Sequence, residues 1–187
     1  MKLGKLIKIG MILILLLTSI WGIKEVALKM NYPKKYEEYV EQYARENELD
    51  PLLVYAIIKA ESNFKADVVS SSKAIGLMQL LESTAKEKAQ KEEIPFESAA
   101  DLYNPQKNIQ LGCAYFAELL ENYDGNLAIA IAAYNAGIGK VNTWIREGTI
   151  QKDGSDLENI PYKETNTYVR KIIRDYEIYQ KIYQKEN

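Results

Sequence analysis

Apolar positions along this chain recur mostly at helical spacing. Tyr36, Tyr39, Val40 and Tyr43 fall on one face and predict an amphipathic helix over 34–47, just after Pro33. Asp50-Pro51 supplies an N-cap acceptor followed by a proline suited to the first helical position. The helix it opens is apolar on nearly every side from Leu52 to Ala60, which places it in the middle of a bundle. A Lys/Glu/Ala-rich helix follows, predicted from a Ser83 or Thr84 cap to Glu92. Asn104-Pro105 opens another, with Ile109, Gly112, Cys113, Phe116, Leu119, Leu120 and Tyr123 on its inward stripe. Asn126 caps an apolar helix that Gly137 and Gly139 break, and a short helix follows over 141–148. Val169, Ile172, Ile173, Tyr176 and Tyr183 mark a long C-terminal helix. No run alternates in the manner of a strand, so the expected fold class is all-α.

The first thirty residues follow a different pattern. Lys2, Lys5 and Lys8 precede an uncharged apolar run from Ile9 to Ile23. Such a run covers about 22 Å as a helix, against roughly 30 Å of bilayer hydrocarbon. Snorkelling lysines, with Leu3, Leu6, Val26 and Leu28, extend its reach. No small-x-small cleavage site follows the run. Residues 1–30 are therefore expected to be an uncleaved membrane anchor, with a cleaved signal segment as the alternative. Either reading exports residues 31–187 as one domain, because lysines ahead of the run stay in the cytoplasm. The expected location is the cell membrane, single-pass, with the domain extracytoplasmic.

Composition narrows the chemistry. The net charge is −2, and residues 1–30 carry five Lys and one Glu, so the remainder carries −6. An acidic domain without a basic stripe argues against nucleic acid as a partner. The chain has no histidine, which removes Ser-His-Asp and Cys-His nucleophile systems and the commonest transition-metal ligand. Its single cysteine, Cys113, cannot form an internal disulfide and sits on a core stripe. Fourteen tyrosines against three phenylalanines offer flat apolar faces with polar tips, suited to packing and to a wet groove. Any catalysis must rest on carboxylates, Tyr, Ser, Lys or amides.

Glu61 is the acid best placed for it. It ends the most apolar helix, where burial would raise its pKa and keep it protonated near neutrality as a general acid. A solvated glutamate at a helix end is the plainer reading of the same position. Ser62, Asn63, Ser70, Ser71, Ser72 and Gln79 follow, and their uncharged hydrogen-bonding groups suit sugar hydroxyls and amides. Tyr134 and Asn135 interrupt an apolar helix just before its glycine stop, as functional groups or as packing and a C-cap. Glu164 and Thr165 join a loop to the last helix, as site residues or as caps.

Four short motifs occur in order: Glu61-Ser62-x-Phe64, Gly76-Leu77-Met78-Gln79, Ala133-Tyr134-Asn135-Ala136-Gly137 and Glu164-Thr165-x-x-Tyr168-Val169. Together they resemble the catalytic domain of soluble lytic transglycosylases, the type related to goose lysozyme, over residues 36–183. The resemblance implies a helical, lysozyme-like domain, expected to be monomeric. Its substrate would be the glycan strands of peptidoglycan, cut between N-acetylmuramic acid and N-acetylglucosamine. It also implies Glu61 as catalytic acid/base, and Ser70 and Gln79 as contacts to substrate amide and hydroxyls. Met78 would line the groove, and Tyr134 would reach toward Glu61 and the N-acetyl group. Asn135 would support the groove, and Glu164 would contact substrate or order the site. Where the family often has Met-Pro after this turn, the chain has Leu81-Glu82, which puts a charge near the groove entrance.

Glycosidases ordinarily use two carboxylates. Asp67 and Glu82 fall in or beside polar loop, so only Glu61 is convincingly placed. One carboxyl group suffices for a transglycosylase, and its reaction requires no metal or cofactor. A lysozyme-like hydrolase in which Asp67 or Glu82 directs water, and a non-catalytic wall-binding module, are the competing readings.

Overall fold

A computed structural model describes the backbone of residues 2–184, with the side chains of residues 2–9, 12, 20 and 21 outside the described set. Eight α-helices carry the described residues: α1 (Lys2–Asn31), α2 (Glu37–Glu46), α3 (Pro51–Ser62), α4 (Glu82–Lys91), α5 (Pro105–Asn122), α6 (Leu127–Ala136), α7 (Ile138–Arg146) and α8 (Lys163–Tyr183). Short 3-10 turns lie at Ala99–Tyr103 and Leu157–Asn159. Among the described residues no extended strand forms, and two isolated bridges, Val69–Ile75 and Ile75–Leu80, fold the loop after α3 back on itself. The class is all-α, as the periodicity predicts.

Side-chain caps open three of the helices, α3, α5 and α6. The Asp50 carboxylate accepts from the Leu52 amide at 2.8 Å, Asn104 from Lys107 at 3.2 Å and Asn126 from Ile129 at 3.1 Å. Two starts differ from expectation. α2 begins at Glu37, because Tyr36 has a left-handed backbone (φ 58°) that cannot continue a helix backward to 34. α4 begins at Glu82 without a side-chain cap. Leu81 is extended there, and its carbonyl already takes the Ala85 amide, so neither Ser83 nor Thr84 caps.

The apolar face of α3 does what its composition demands. Leu53 to Ile58 are all buried, and α3 packs on α2 and α8. α6 lies against α5, α7 and α8, so the two most apolar helices share one core with Cys113 inside it. A smaller cluster of Ile75, Leu80, Ala85, Ala89, Leu102 and Leu111 builds a second lobe under α4 and the bridged loop. The groove described below runs between that loop and the N-terminal ends of α7 and α8.

Helix α1 is fastened to the domain at its C-terminal end. Lys59 donates to the Asn31 carbonyl at 2.6 Å and lies 4.6 Å from the centre of the Tyr32 ring. The Tyr183 hydroxyl donates to the Tyr32 carbonyl, and that of Tyr179 to the Pro33 carbonyl. Farther back, Met11 and Leu13 to Leu17 are more than half exposed. Among the described residues no helix is long and apolar enough to cross a membrane. The lysines at 2, 5 and 8, and Leu3 and Leu6, on which the expected anchor partly rests, lie outside the described side chains.

Candidate active site

The bridged loop is held from below. Gly76 has a positive φ of 82°, and a Cβ there would fall 2.2 Å from the Asn108 amide nitrogen and 2.4 Å from the Leu102 carbonyl. Only glycine fits. Asn108, fully buried on α5, donates to the carbonyls of Ile75 and Leu102, each at 2.9 Å, and accepts from the Met78 amide at 2.8 Å. Ser62 ties the end of α3 to the same loop by donating to the Leu77 carbonyl at 2.8 Å. The turn from Gly76 to Gln79 thus sits at a fixed height beside Glu61.

Above it opens a groove of about 590 Å³. Its lining includes Glu61, Ser70, Gln79, Tyr134, Asn135 and Glu164, drawn from five parts of the sequence. Six of the seven expected site residues therefore meet on one surface. Met78 does not. Its side chain is fully buried in the main core, and its sulfur lies where a Cβ on Gly112 would fall, 2.3 Å away. What Met78 presents to the site is its backbone carbonyl, which accepts from the Tyr134 hydroxyl at 2.7 Å.

That bond also changes the place expected for Tyr134. Its hydroxyl holds the loop rather than the Glu61 carboxyl, and its ring packs on Tyr115 and Phe116. The hydroxyl that reaches Glu61 is Tyr168, which donates to Oε1. Tyr168 lies one turn beyond Glu164 on α8, so both fall on the same helix face.

Burial pushes the Glu61 carboxyl up to about 7 from its ordinary 4.5, opposed by the Tyr168 hydrogen bond and the Lys171 charge. Its place in the last turn of α3 acts in the same sense as burial, because the helix dipole disfavours a negative charge there. Lys171 donates to the Ala60 carbonyl at 3.1 Å and so serves as a cap at that end. The phenols of Tyr168 and Tyr134 are raised well above 10, by burial first and by Glu61 second. Both remain neutral hydroxyl donors. Near neutrality, Glu61 is poised between acid and carboxylate beside a donor that favours the carboxylate.

The remaining lining groups are polar and arranged by the backbone. The Gln79 carboxamide donates to the carbonyls of Val68 (3.1 Å) and Gly76 (2.9 Å), which leaves its oxygen as the acceptor. The Ser70 hydroxyl accepts from the Ala74 amide at 3.0 Å and keeps its own hydrogen to donate. Asn135 accepts from Thr165 at 2.8 Å, which joins the end of α6 to the start of α8. Asp67 and Glu82, the acids considered as partners for Glu61, are exposed and are not among the groove-lining residues. Among the described residues no group of His, Cys, Asp and Glu could hold a metal ion.

The chain that forms this groove has relatives among known proteins. The family described as the transglycosylase SLT domain matches residues 38–156. The chain belongs to this family. It is 36% identical over 163 residues to a putative soluble lytic murein transglycosylase of Haemophilus influenzae, covering 86% of this chain and 27% of that protein. It is 31% identical over 148 residues to the soluble lytic murein transglycosylase of Escherichia coli K12, covering 78% of this chain and 23% of that one. In structure it is similar to an inactive mutant of lytic transglycosylase Slt from Pseudomonas aeruginosa, with a TM-score of 0.76 and 35% identity over 82% of this chain and 25% of that one. This SLT chain thus spans about a quarter of the length of the relatives it matches.

In the sequence of this SLT domain nothing marks Asn108 or Lys171 as a site residue, and Tyr168 stands only as one position of the fourth motif. Tyr168 was the most accessible of the three, since its i,i+4 relation to Glu164 puts it on the groove face. Asn108 leaves a weaker trace, as a polar residue beside the apolar stripe of α5.

Proposed function

We propose that this chain is a peptidoglycan lytic transglycosylase that cleaves the β-1,4 bond between N-acetylmuramic acid and N-acetylglucosamine and leaves a 1,6-anhydro-muramoyl end. The observation that carries this reading is the Glu61 carboxyl, pushed up to about 7 at the base of an uncharged, hydrogen-bonding stretch of groove. Protonated Glu61 gives its proton to the bridging oxygen while the substrate N-acetyl carbonyl assists departure. The resulting carboxylate, stabilised by the Tyr168 hydroxyl, takes the proton of the muramoyl C6 hydroxyl as that oxygen attacks C1. No water is consumed, and Glu61 ends protonated as it began. Gln79 would accept from a sugar hydroxyl or N-acetyl N–H, Ser70 would donate to an amide carbonyl, and Asn135 and Glu164 would line the adjoining positions.

The test is a digest of purified peptidoglycan with products identified by mass. Anhydro products, lighter by one water than hydrolysis products, are expected from the wild-type chain and absent from Glu61→Gln. Ordinary reducing ends would establish hydrolysis instead. For that outcome Glu164, which lines the groove, is the acid positioned to direct water. Binding to sacculi without released fragments would leave only the wall-binding reading.

We also propose that α1 holds the domain at the outer face of the cell membrane. The support is the exposed apolar side chains of Met11 and Leu13 to Leu17, with lysines at 2, 5 and 8 in the sequence ahead of them. Recovery of the full chain in a membrane pellet, released by detergent and not by salt, is the expected result. Recovery in the soluble fraction, or of a shortened chain, would refute retention by α1.

A further inference from the structure

The last turn of α3, which carries Glu61, is gripped from opposite sides. Successive helix residues are about 100° apart, so Lys59 and Glu61 point roughly 200° away from each other around the axis. On one side Tyr168 donates to the Glu61 carboxyl, and at the end of the turn Lys171 donates to the Ala60 carbonyl. On the other side Lys59 donates to the Asn31 carbonyl at 2.6 Å, with its ammonium 4.6 Å from the centre of the Tyr32 ring. That partner segment, residues 31–33, lies between α1 and the stretch 38–156 that the family matches.

One stripe of α8 joins the two grips. Tyr168, Lys171, Asp175, Tyr179 and Tyr183 follow at intervals of three and four and so share a helix face. The first two hold Glu61 and the Ala60 carbonyl; the other three hold residues 31–33. Buried Asp175 accepts from the Tyr32 hydroxyl at 3.2 Å, and Tyr179 meets the Tyr32 ring edge-on at 5.4 Å. The hydroxyls of Tyr179 and Tyr183 donate to the carbonyls of Pro33 and Tyr32. Tyr179 also stacks on Tyr55 of α3 at 5.8 Å. Residues 31–33 are therefore wedged between α3 and α8, and their seating fixes the register of the two helices. Because a packed helix moves as a stiff element, a shift at Tyr183 is passed to Tyr168, about 22 Å along the axis.

A lysine is a costly choice at position 59. Burial lowers its pKa, and Lys171 and Arg174 add like charge against the one carboxylate of Asp175. A methionine would fill the same space without that penalty. What the ammonium adds is direction, a fixed hydrogen bond that sets the height of the turn. We propose that Lys59 is a positioning residue for Glu61, and that residues 31–33 are the strap through which Lys59 and α8 keep the Tyr168 hydroxyl on the carboxyl. The inference rests on the acid/base role given to Glu61 above. The ionisable groups that face Glu61 are Tyr168 and Lys171 from α8 and Tyr134 from α6, whereas Lys59 points the other way and acts through position. Full-rate cleavage then belongs to the chain whose α1 stays joined to the domain; freeing the strap loosens the acid and leaves the groove intact.

The experiment uses the full chain in detergent. The Glu61 carboxyl is titrated by carbon NMR, and kcat and KM are measured on soluble glycan strands. Lys59→Met should raise the titration midpoint by about half a unit, the direction expected when the Tyr168 donor is loosened. It should lower kcat about tenfold and leave KM within about twofold. Lys59→Arg, which keeps a cation over Tyr32 and a donor for the carbonyl, should restore both. Tyr179→Phe with Tyr183→Phe keeps every ring and removes only the two hydroxyls on the strap, so it carries the test where Lys59→Met does not fold. This pair should shift midpoint and kcat in the same directions, with kcat down about threefold. In a Tyr168→Phe background, Lys59→Met should cost less than about twofold more, because the bond it protects is already gone. An unmoved midpoint in variants whose strap is cut faster by protease would overturn the proposal, as would a kcat loss undiminished by Tyr168→Phe. Absence of anhydro products from the wild-type chain would overturn the cleavage reading instead, and the midpoint would still decide the positioning role.

Discussion

Replacing Glu61 by glutamine should make the folded protein more stable at alkaline pH while abolishing its activity. The carboxyl titrates at about 7 in the folded chain and near 4.5 when unfolded. Folded protein therefore binds the proton more tightly, and between these values stability falls as pH rises. Below about 4.5 both states hold the proton and no penalty exists; above 7 the penalty is complete. A shift from 4.5 to about 7 corresponds to about 3 kcal/mol, and water in the groove reduces the expected effect to about 2 kcal/mol. Glutamine keeps the size and the acceptor oxygen for Tyr168 and removes the charge. Denaturant unfolding of both proteins at pH 5 and pH 8.5 isolates the effect, because every other titrating group cancels in the difference. The stability gap in favour of Glu61→Gln should widen by about 2 kcal/mol from the first pH to the second, or by roughly 4–8 °C in melting temperature. A gap that does not change with pH would mean that the carboxyl is an ordinary solvated acid, and the argument for Glu61 as a general acid would fail with it. The accompanying loss of cleavage should be about 100-fold or more.

Tyr168→Phe removes the donor that favours ionised Glu61, so the carboxyl should move further up. The alkaline limb of kcat/KM, expected near pH 7, should shift upward by about one unit, and an unmoved limb would refute the role given to this hydroxyl. Asn108→Ala leaves the Met78 amide and the Ile75 and Leu102 carbonyls without their buried partner. It should cost about 3 kcal/mol in denaturant unfolding, and a cost under 1 kcal/mol would show that the loop does not depend on it. Lys59→Met breaks the bond to the Asn31 carbonyl and the contact with Tyr32, so limited proteolysis near residues 31–35 should accelerate several-fold, with the core fragment intact.

Element identity was legible where local chemistry decides it. Asp50, Asn104 and Asn126 cap helices in the structure as their sequence contexts predict, since a cap needs only neighbours within three residues. The burial of α3 and α6 followed from composition alone, because a helix with no polar face has nowhere else to go. The starts of α2 and α4 depended on backbone angles at Tyr36 and Leu81, and neither residue type announces a helix boundary. In the groove, six of the seven expected residues came together because motif order carries the topology with it.

Met78 and Tyr134 show what such a motif cannot carry. A methionine between glycine and glutamine in a surface turn reads as groove lining, because turns are usually exposed. Here the turn is clamped from beneath by Asn108, with Leu77 and Met78 both buried, while Gln79, in a left-handed backbone conformation (φ 49°), lines the groove. Room for the sulfur exists only because position 112 of α5 is glycine, thirty-four residues away. Once Met78 is buried, its carbonyl faces Tyr134, and that hydroxyl is committed to the loop. The proton-donating partner of Glu61 must then come from elsewhere, and α8 supplies Tyr168. One inward side chain thus reassigns two tyrosines. Local pattern specifies which residues sit at the groove, whereas long-range packing specifies which hydroxyl touches the acid.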